Sequence, residues 1–156
     1  ARAAGLGERR VVFTDTLASS EHIAAKSHAD VFLDTPVYNA HVTAGDAIWA
    51  GILLVVMPLE SMAARISASF SFAFPGAIFV ARNREEYRET AVALARRPLF
   101  RARLKRRLLL ERASSPLFNV ELWVTHFEAA ILMALESEST SSSLGAMGSK
   151  GVRGGG

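Results

Sequence analysis

The chain has 156 residues, 50% of them hydrophobic, which is enough for one compact domain and too few for two well-sized ones. Its 18 Lys and Arg against 15 Asp and Glu leave a net charge of +3, too small an excess to argue for nucleic acid as the partner of the whole molecule. The absence of cysteine excludes disulfides and thiolate metal sites and suits a reducing compartment.

Residues 10–14, Arg-Val-Val-Phe-Thr, read as a first strand. Ser19 or Ser20 then offers an N-cap for a helix reaching His28, and residues 30–33 form a short second strand closed by Asp34-Thr35-Pro36, because Pro36 has no N–H to donate. A short helix over residues 43–50 ends at Gly51, and the strand over residues 52–57 stops at Pro58. Residues 60–70 are expected to be helical, and residues 78–80 form a fourth strand. Asn83, with Glu86 three residues on, makes a capping box for a helix through Ala95, limited by Pro98. Residues 99–111 are basic and amphipathic, and Ser114-Ser115-Pro116 is a turn. Asn119 caps a last helix to about Glu136, with Trp123, Phe127, Ile131 and Ala134 on one face. The Ser- and Gly-rich residues 137–156 are expected to be a disordered tail after a domain spanning residues 1–136. The ends, Ala1-Arg2-Ala3-Ala4 and Gly154-Gly155-Gly156, read as those of a fragment of a longer protein.

Residues 47–59 and 66–81 carry no charge, but a spanning helix needs about 20 apolar residues, and Pro75-Gly76 and three serines interrupt the second run. Parallel strands covered on both faces read as such continuous apolar stretches. Four strands alternating with helices therefore predict an α/β fold, a Rossmann-like doubly wound parallel sheet, with ligands beyond the carboxyl ends of the strands. Three loops lie there, at residues 15–20, 34–43 and 58–60.

The second loop runs from a strand end into a helix start, where unpaired N–H groups and the positive end of the helix dipole attract an anion such as a diphosphate. His41 and Thr43 add side-chain donors, small Ala44 and Gly45 permit close approach, and Asp46, one turn in, is placed to accept from ribose hydroxyls. Thr43 to Asp46 is equally the spacing of a plain capping box. His22 opens the preceding helix beside the first loop, where it is either a base, ribose or phosphate contact or an ordinary surface histidine. His28 and His126 are expected to pack or to lie on the surface.

No Asp-x-Asp pair, no His-carboxylate cluster at ligand spacing, no Gly-x-Gly-x-x-Gly, no P-loop and no Gly-x-Ser-x-Gly occurs, so no metal site and no classical dinucleotide, ATP or hydrolase site is expected. The charge excess gathers in residues 96–112. Such a run suits RNA, an acidic lipid or an acidic partner, but is more commonly a solvated helical face, and no interleaved aromatics support base stacking.

Taken in order, Glu21-His22-Ile23, residues 29–36 (Ala-Asp-Val-Phe-Leu-Asp-Thr-Pro), Asn39-x-His41-x-Thr43-x-x-Asp46, Trp49-Ala50-Gly51, Met57-Pro58-Leu59-Glu60-Ser61, Asn83-Arg84-x-Glu86-Tyr87 and Ser115-Pro116-Leu117-Phe118-Asn119 form a set. Through residues 10–136 the chain resembles the carboxyl-terminal lobe of the protein O-linked N-acetylglucosamine transferases. The resemblance implies the second Rossmann-like lobe of a GT-B fold, a cytoplasmic or nuclear setting, and metal-independent use of UDP-GlcNAc to modify Ser and Thr hydroxyls of protein acceptors. It further implies His22 against the uridine, His41, Val42 and Thr43 at the diphosphate, and Asp46 at the ribose. No catalytic group is carried over, since the acceptor-side lobe and helical repeats of that family lie upstream; the fragment is expected to be inactive alone, with no cofactor, nucleic acid or membrane as partner.

The departures are specific. Ser19 stands where the family usually has Lys, Val42 where it has a further Thr, Ala24-Ala25 where Arg is common, and Leu53 where Pro is usual. A charge-assisted hydrogen bond contributes about 1.5–3 kcal/mol, so the losses predict donor affinity weakened more than about tenfold. Two other readings stand beside this one: the related O-fucosyltransferase branch with GDP-fucose, and a degenerate interaction domain.

Overall fold

A computed structural model describes Gly5 and residues 10–148, apart from the side chains of residues 19, 20 and 138–148. The chain divides into two compact units, Ala1–Arg112 and Ala113–Gly156. The first holds the sheet.

Three parallel strands, β1 (Val31–Leu33), β2 (Leu53–Val56) and β3 (Ile78–Val80), lie in the order β1-β2-β3. Val31, Phe32 and Leu33 align with Leu53, Leu54 and Val55, and Leu54, Val55 and Val56 with Ile78, Phe79 and Val80. Every residue of β2 is buried. Because alternate side chains point to opposite faces, that pattern means both faces of the central strand are covered, the situation that makes it read as an uninterrupted apolar run. Each of these side chains contributes about 1.5–3 kcal/mol on burial, and with Ile48, Ile52, Phe74 and Leu108 they form the core. None of the described helices is long and apolar enough to cross a membrane.

Parallel pairing requires crossovers. Helix α2 (Val42–Trp49) joins β1 to β2 and ends at Gly51, whose φ of 80° reverses the chain. Between β2 and β3 the expected single helix over residues 60–70 is replaced by a 3-10 turn at Met62–Ala64, a single turn α3 (Ile66–Ser69) and a second 3-10 turn at Phe70–Phe72. Local polar competition explains the fragmentation: the Ser69 hydroxyl donates to Ile66 O at 2.6 Å, Arg65 Nε to Leu59 O at 2.7 Å, and Ser67 turns away to a carboxylate described below.

Residues 10–14 do not form the first strand expected of them. They pair with no strand among the described residues, and Val12 and Phe13 are 77% and 92% exposed. Their composition suits a strand, but β propensity expresses packing on a neighbour and has no effect where none is offered.

Helix α1 (Ser19–Lys26) precedes β1, and its N-cap is Ala18, without a side-chain cap. Helix α4 (Arg84–Arg96) begins as expected, with Asn83 Oδ1 accepting from Glu86 N at 2.9 Å, while the Glu86 carboxylate reaches Arg82 N rather than completing the box. Helix α5 (Pro98–Glu111) starts on Pro98, whose missing N–H would be unpaired there anyway. Arg101 in α5 donates to Leu94 O and Ala95 O at the end of α4 and, with Lys105, pairs with Asp30 beside β1. Partial burial of Asp30 opposes its ionisation, but the hydrogen bond from Lys105 and the charges of Arg101 and Lys105 outweigh it and hold the carboxyl below its ordinary value.

In the second unit, Pro116–Phe118 forms a 3-10 turn capped by Ser115, and Asn119 Oδ1 accepts from Leu122 N at 2.9 Å to start α6 (Val120–Gly148). Trp123 and Phe127 stack on its surface at 5.0 Å. The helix continues past Glu136, since no proline interrupts the serine-rich stretch; residues 149–156 of the expected tail lie outside the described residues.

Candidate functional site

The loop from β1 to α2 is built around Asp34, a buried carboxylate. Its Oδ1 accepts from Thr35 N at 2.9 Å and Ala40 N at 2.8 Å, and its Oδ2 accepts from the buried Ser67 hydroxyl. Asn39, also buried, donates from its side chain to Thr35 O at 2.9 Å and from its backbone to Ala63 O at 2.8 Å, and Thr35 donates to Tyr38 O. Tyr87 of α4 donates to Asp34 O at 2.9 Å; burial first, then the Asp34 charge, raises its phenol above the ordinary value. Residues 34–41 are thus an internally bonded hook, so the residue that ends it, His41, has a defined place.

His41 is the N-cap of α2 and supplies no side-chain cap, so among the described residues the amides of Val42 and Thr43 have no acceptor, while Ala44 N already donates to His41 O at 3.1 Å. The imidazole stacks on Tyr38 at 4.8 Å, with Nε2 3.3 Å from Ala63 O, where the Nε2–H tautomer donates. Val42 and Thr43 are exposed, and a Cβ placed on Gly45 would meet nothing within 4 Å, so that side of the opening turn is clear. Ala44 is fully buried, its methyl group in the core.

Asp46 does not complete a capping box with Thr43. Its Oδ2 pairs instead with Lys26 Nζ of α1 at 3.0 Å, and the same ammonium lies 3.4 Å from Thr43 O. This bridge sets the end of α1 against the first turn of α2. His22 lies four residues before Lys26, hence on the same side of α1, and borders a groove lined by Thr14, Asp15, Thr16 and Leu17. The fold therefore brings His22, His41, Val42, Thr43 and Asp46 onto two packed helices.

Asp34, Asn39 and Lys26 were not singled out by sequence as builders of this site. Asp34 and Asn39 stand in the quoted motifs, but their partners Ser67 and Ala63 are distant in sequence; Lys26 gave no signal beyond its spacing from His22.

Residues 1–127 match glycosyl transferase family 41. The chain belongs to that family. This family 41 domain is 40% identical over 130 residues to the probable UDP-N-acetylglucosamine–peptide N-acetylglucosaminyltransferase SEC of Arabidopsis thaliana, covering 82% of the chain and 13% of that protein. It is 38% identical over 124 residues to the UDP-N-acetylglucosamine–peptide N-acetylglucosaminyltransferase of Caenorhabditis elegans, covering 80% of the chain and 11% of that protein. Its fold matches a solved structure of a point mutant of Thermobaculum terrenum O-GlcNAc transferase with a TM-score of 0.75 at 26% identity, over 90% of this chain and 27% of that one. The α/β fold with a parallel sheet is thus that of the carboxyl-terminal lobe of this family. The family 41 domain spans only a small part of the curated relatives it matches.

Proposed function

We propose that this family 41 domain holds UDP-GlcNAc for transfer of N-acetylglucosamine to Ser and Thr hydroxyls of proteins. The observation that carries the reading is the opening of α2: uncapped amides, held in place by the Asp34 hook, with Asp46 one turn in and α1 bridged to it by Lys26. A helix N-terminus of this kind receives a diphosphate. His41 and Thr43 stand at the same opening, Asp46 takes the ribose hydroxyls, and His22 with residues 14–17 flanks the uracil. The two relatives are named for a UDP-N-acetylglucosamine donor and a peptide acceptor, which supports this choice of substrates.

Transfer leaves negative charge on the departing UDP, and prearranged amide dipoles stabilise it without a metal ion. Orienting the acceptor hydroxyl falls to other parts of the longer enzymes, so this chain alone is expected to bind donor and not to transfer sugar. Calorimetry with UDP and GDP tests the reading. UDP is expected to bind more tightly, and Asp46→Asn to weaken it roughly tenfold; tighter GDP binding, or no binding of UDP, overturns the proposal.

A further inference from the structure

We infer that Lys26 is a positioning residue of the nucleotide site, fixing the Asp46 carboxylate so that its other oxygen faces the ribose hydroxyls. The inference rests on the nucleotide reading above. Lys26 is only 12% exposed in its side chain and Asp46 30%, so the pair is shielded in a way most surface ion pairs are not. The ammonium's two acceptors among the described residues, Asp46 Oδ2 at 3.0 Å and Thr43 O at 3.4 Å, belong to the first five residues of α2.

As the last residue of α1, Lys26 stands where that helix's dipole favours a cation, whereas the opening of α2 disfavours one, so its reach across to α2 is explained by the contact with Asp46. Among the described residues Lys26 is the partner of the Asp46 side chain, through Oδ2 alone. Oδ1 keeps its lone pairs for a ligand, and a diol is the matching donor. Held in one rotamer, the carboxylate accepts the diol without ordering itself at the moment of binding.

The test uses the whole 156-residue chain, with UDP and 2′,3′-dideoxy-UDP titrated into the wild type, Lys26→Met, Lys26→Arg, Asp46→Asn and the Lys26→Met/Asp46→Asn double variant. Lys26→Met is expected to weaken UDP roughly tenfold and dideoxy-UDP less than about twofold, with Lys26→Arg restoring most of the loss. In the Asp46→Asn background Lys26→Met is expected to add nothing, because the lysine acts through that carboxylate. Thermal melts accompany each titration; a lysine with a merely structural role would weaken both nucleotides alike. Equal losses for the two nucleotides, or unchanged UDP affinity in Lys26→Met, overturn the inference while leaving the nucleotide site standing. Absence of binding to wild type overturns both.

Discussion

Asp34 shows how one side chain can fix a site without facing the ligand. A buried carboxylate is costly unless its lone pairs are met, and here Thr35 N, Ala40 N and the Ser67 hydroxyl meet them. Removing it leaves those three donors without an acceptor. Asp34→Ala is therefore expected to cost about 2–4 kcal/mol in urea unfolding, and to weaken UDP as well, because the hook that places His41 loosens. A variant of unchanged stability would show that water replaces the carboxylate. In the sequence Asp34 reads as the end of a strand before proline and as one residue of the motif at residues 29–36, with no partner indicated. Its importance depends on Ser67, in a segment expected to be an ordinary helix, and pairing over such a separation leaves no periodic trace. His41, Thr43 and Asp46 were legible as a group because they fall on consecutive turns of one helix start. The partner of Asp46 was not, since a capping box and an interhelical pair use the same residue types.

At the scale of elements, what could be read depended on punctuation. Asn83 and Asn119 each cap the helix expected of them, Pro98 opens α5, and Gly51 ends α2. Residues 10–14 and 60–70 failed for lack of it: one has strand composition but no neighbouring strand among the described residues, the other an apolar pattern broken by Ser69 and Arg65 bonding to backbone and Ser67 to Asp34. Gly51 has two separate requirements. Its φ of 80° is strained for any side chain, and a Cβ there would lie 2.6 Å from Leu109 Cδ2 in α5. Leu109 is half-exposed and can shift, so the backbone contribution dominates. Gly51→Ala is expected to lower unfolding free energy by about 1–3 kcal/mol, measured in urea, with UDP affinity of the folded protein unchanged because the opening of α2 lies at the other end of the helix. A matched loss of UDP affinity would mean that the whole helix, not its first turn, is displaced.

Across the whole molecule the positive charge is unevenly spent. Arg101 and Lys105 are held at Asp30, Arg107 at Glu111, and Arg112 donates to Trp49 O while lying 4.8 Å over the Trp49 ring. Arg101, Lys105 and Arg112 of the basic run that invited a nucleic-acid reading thus fasten α5 to the rest of its unit. Near α2, Lys26 is committed to Asp46. A diphosphate would meet mainly the backbone amides of Val42 and Thr43, since the His41 ring donates from Nε2 to Ala63 O, while the side chain of Val42, 80% exposed at the first helical position, offers it no donor. Supplying donors should then raise affinity without changing which base is preferred. Ser19→Lys with Val42→Thr is expected to tighten UDP at least about tenfold, from one or two charge-assisted hydrogen bonds. GDP should gain by the same factor, since both nucleotides carry the same diphosphate, leaving the ratio of their affinities within about twofold. Calorimetry on the double variant decides the matter. A gain for UDP alone would mean that the new groups reach the base, moving the phosphates away from the opening of α2. No binding by either form would instead favour a family 41 lobe that has lost its donor and persists as an interaction domain.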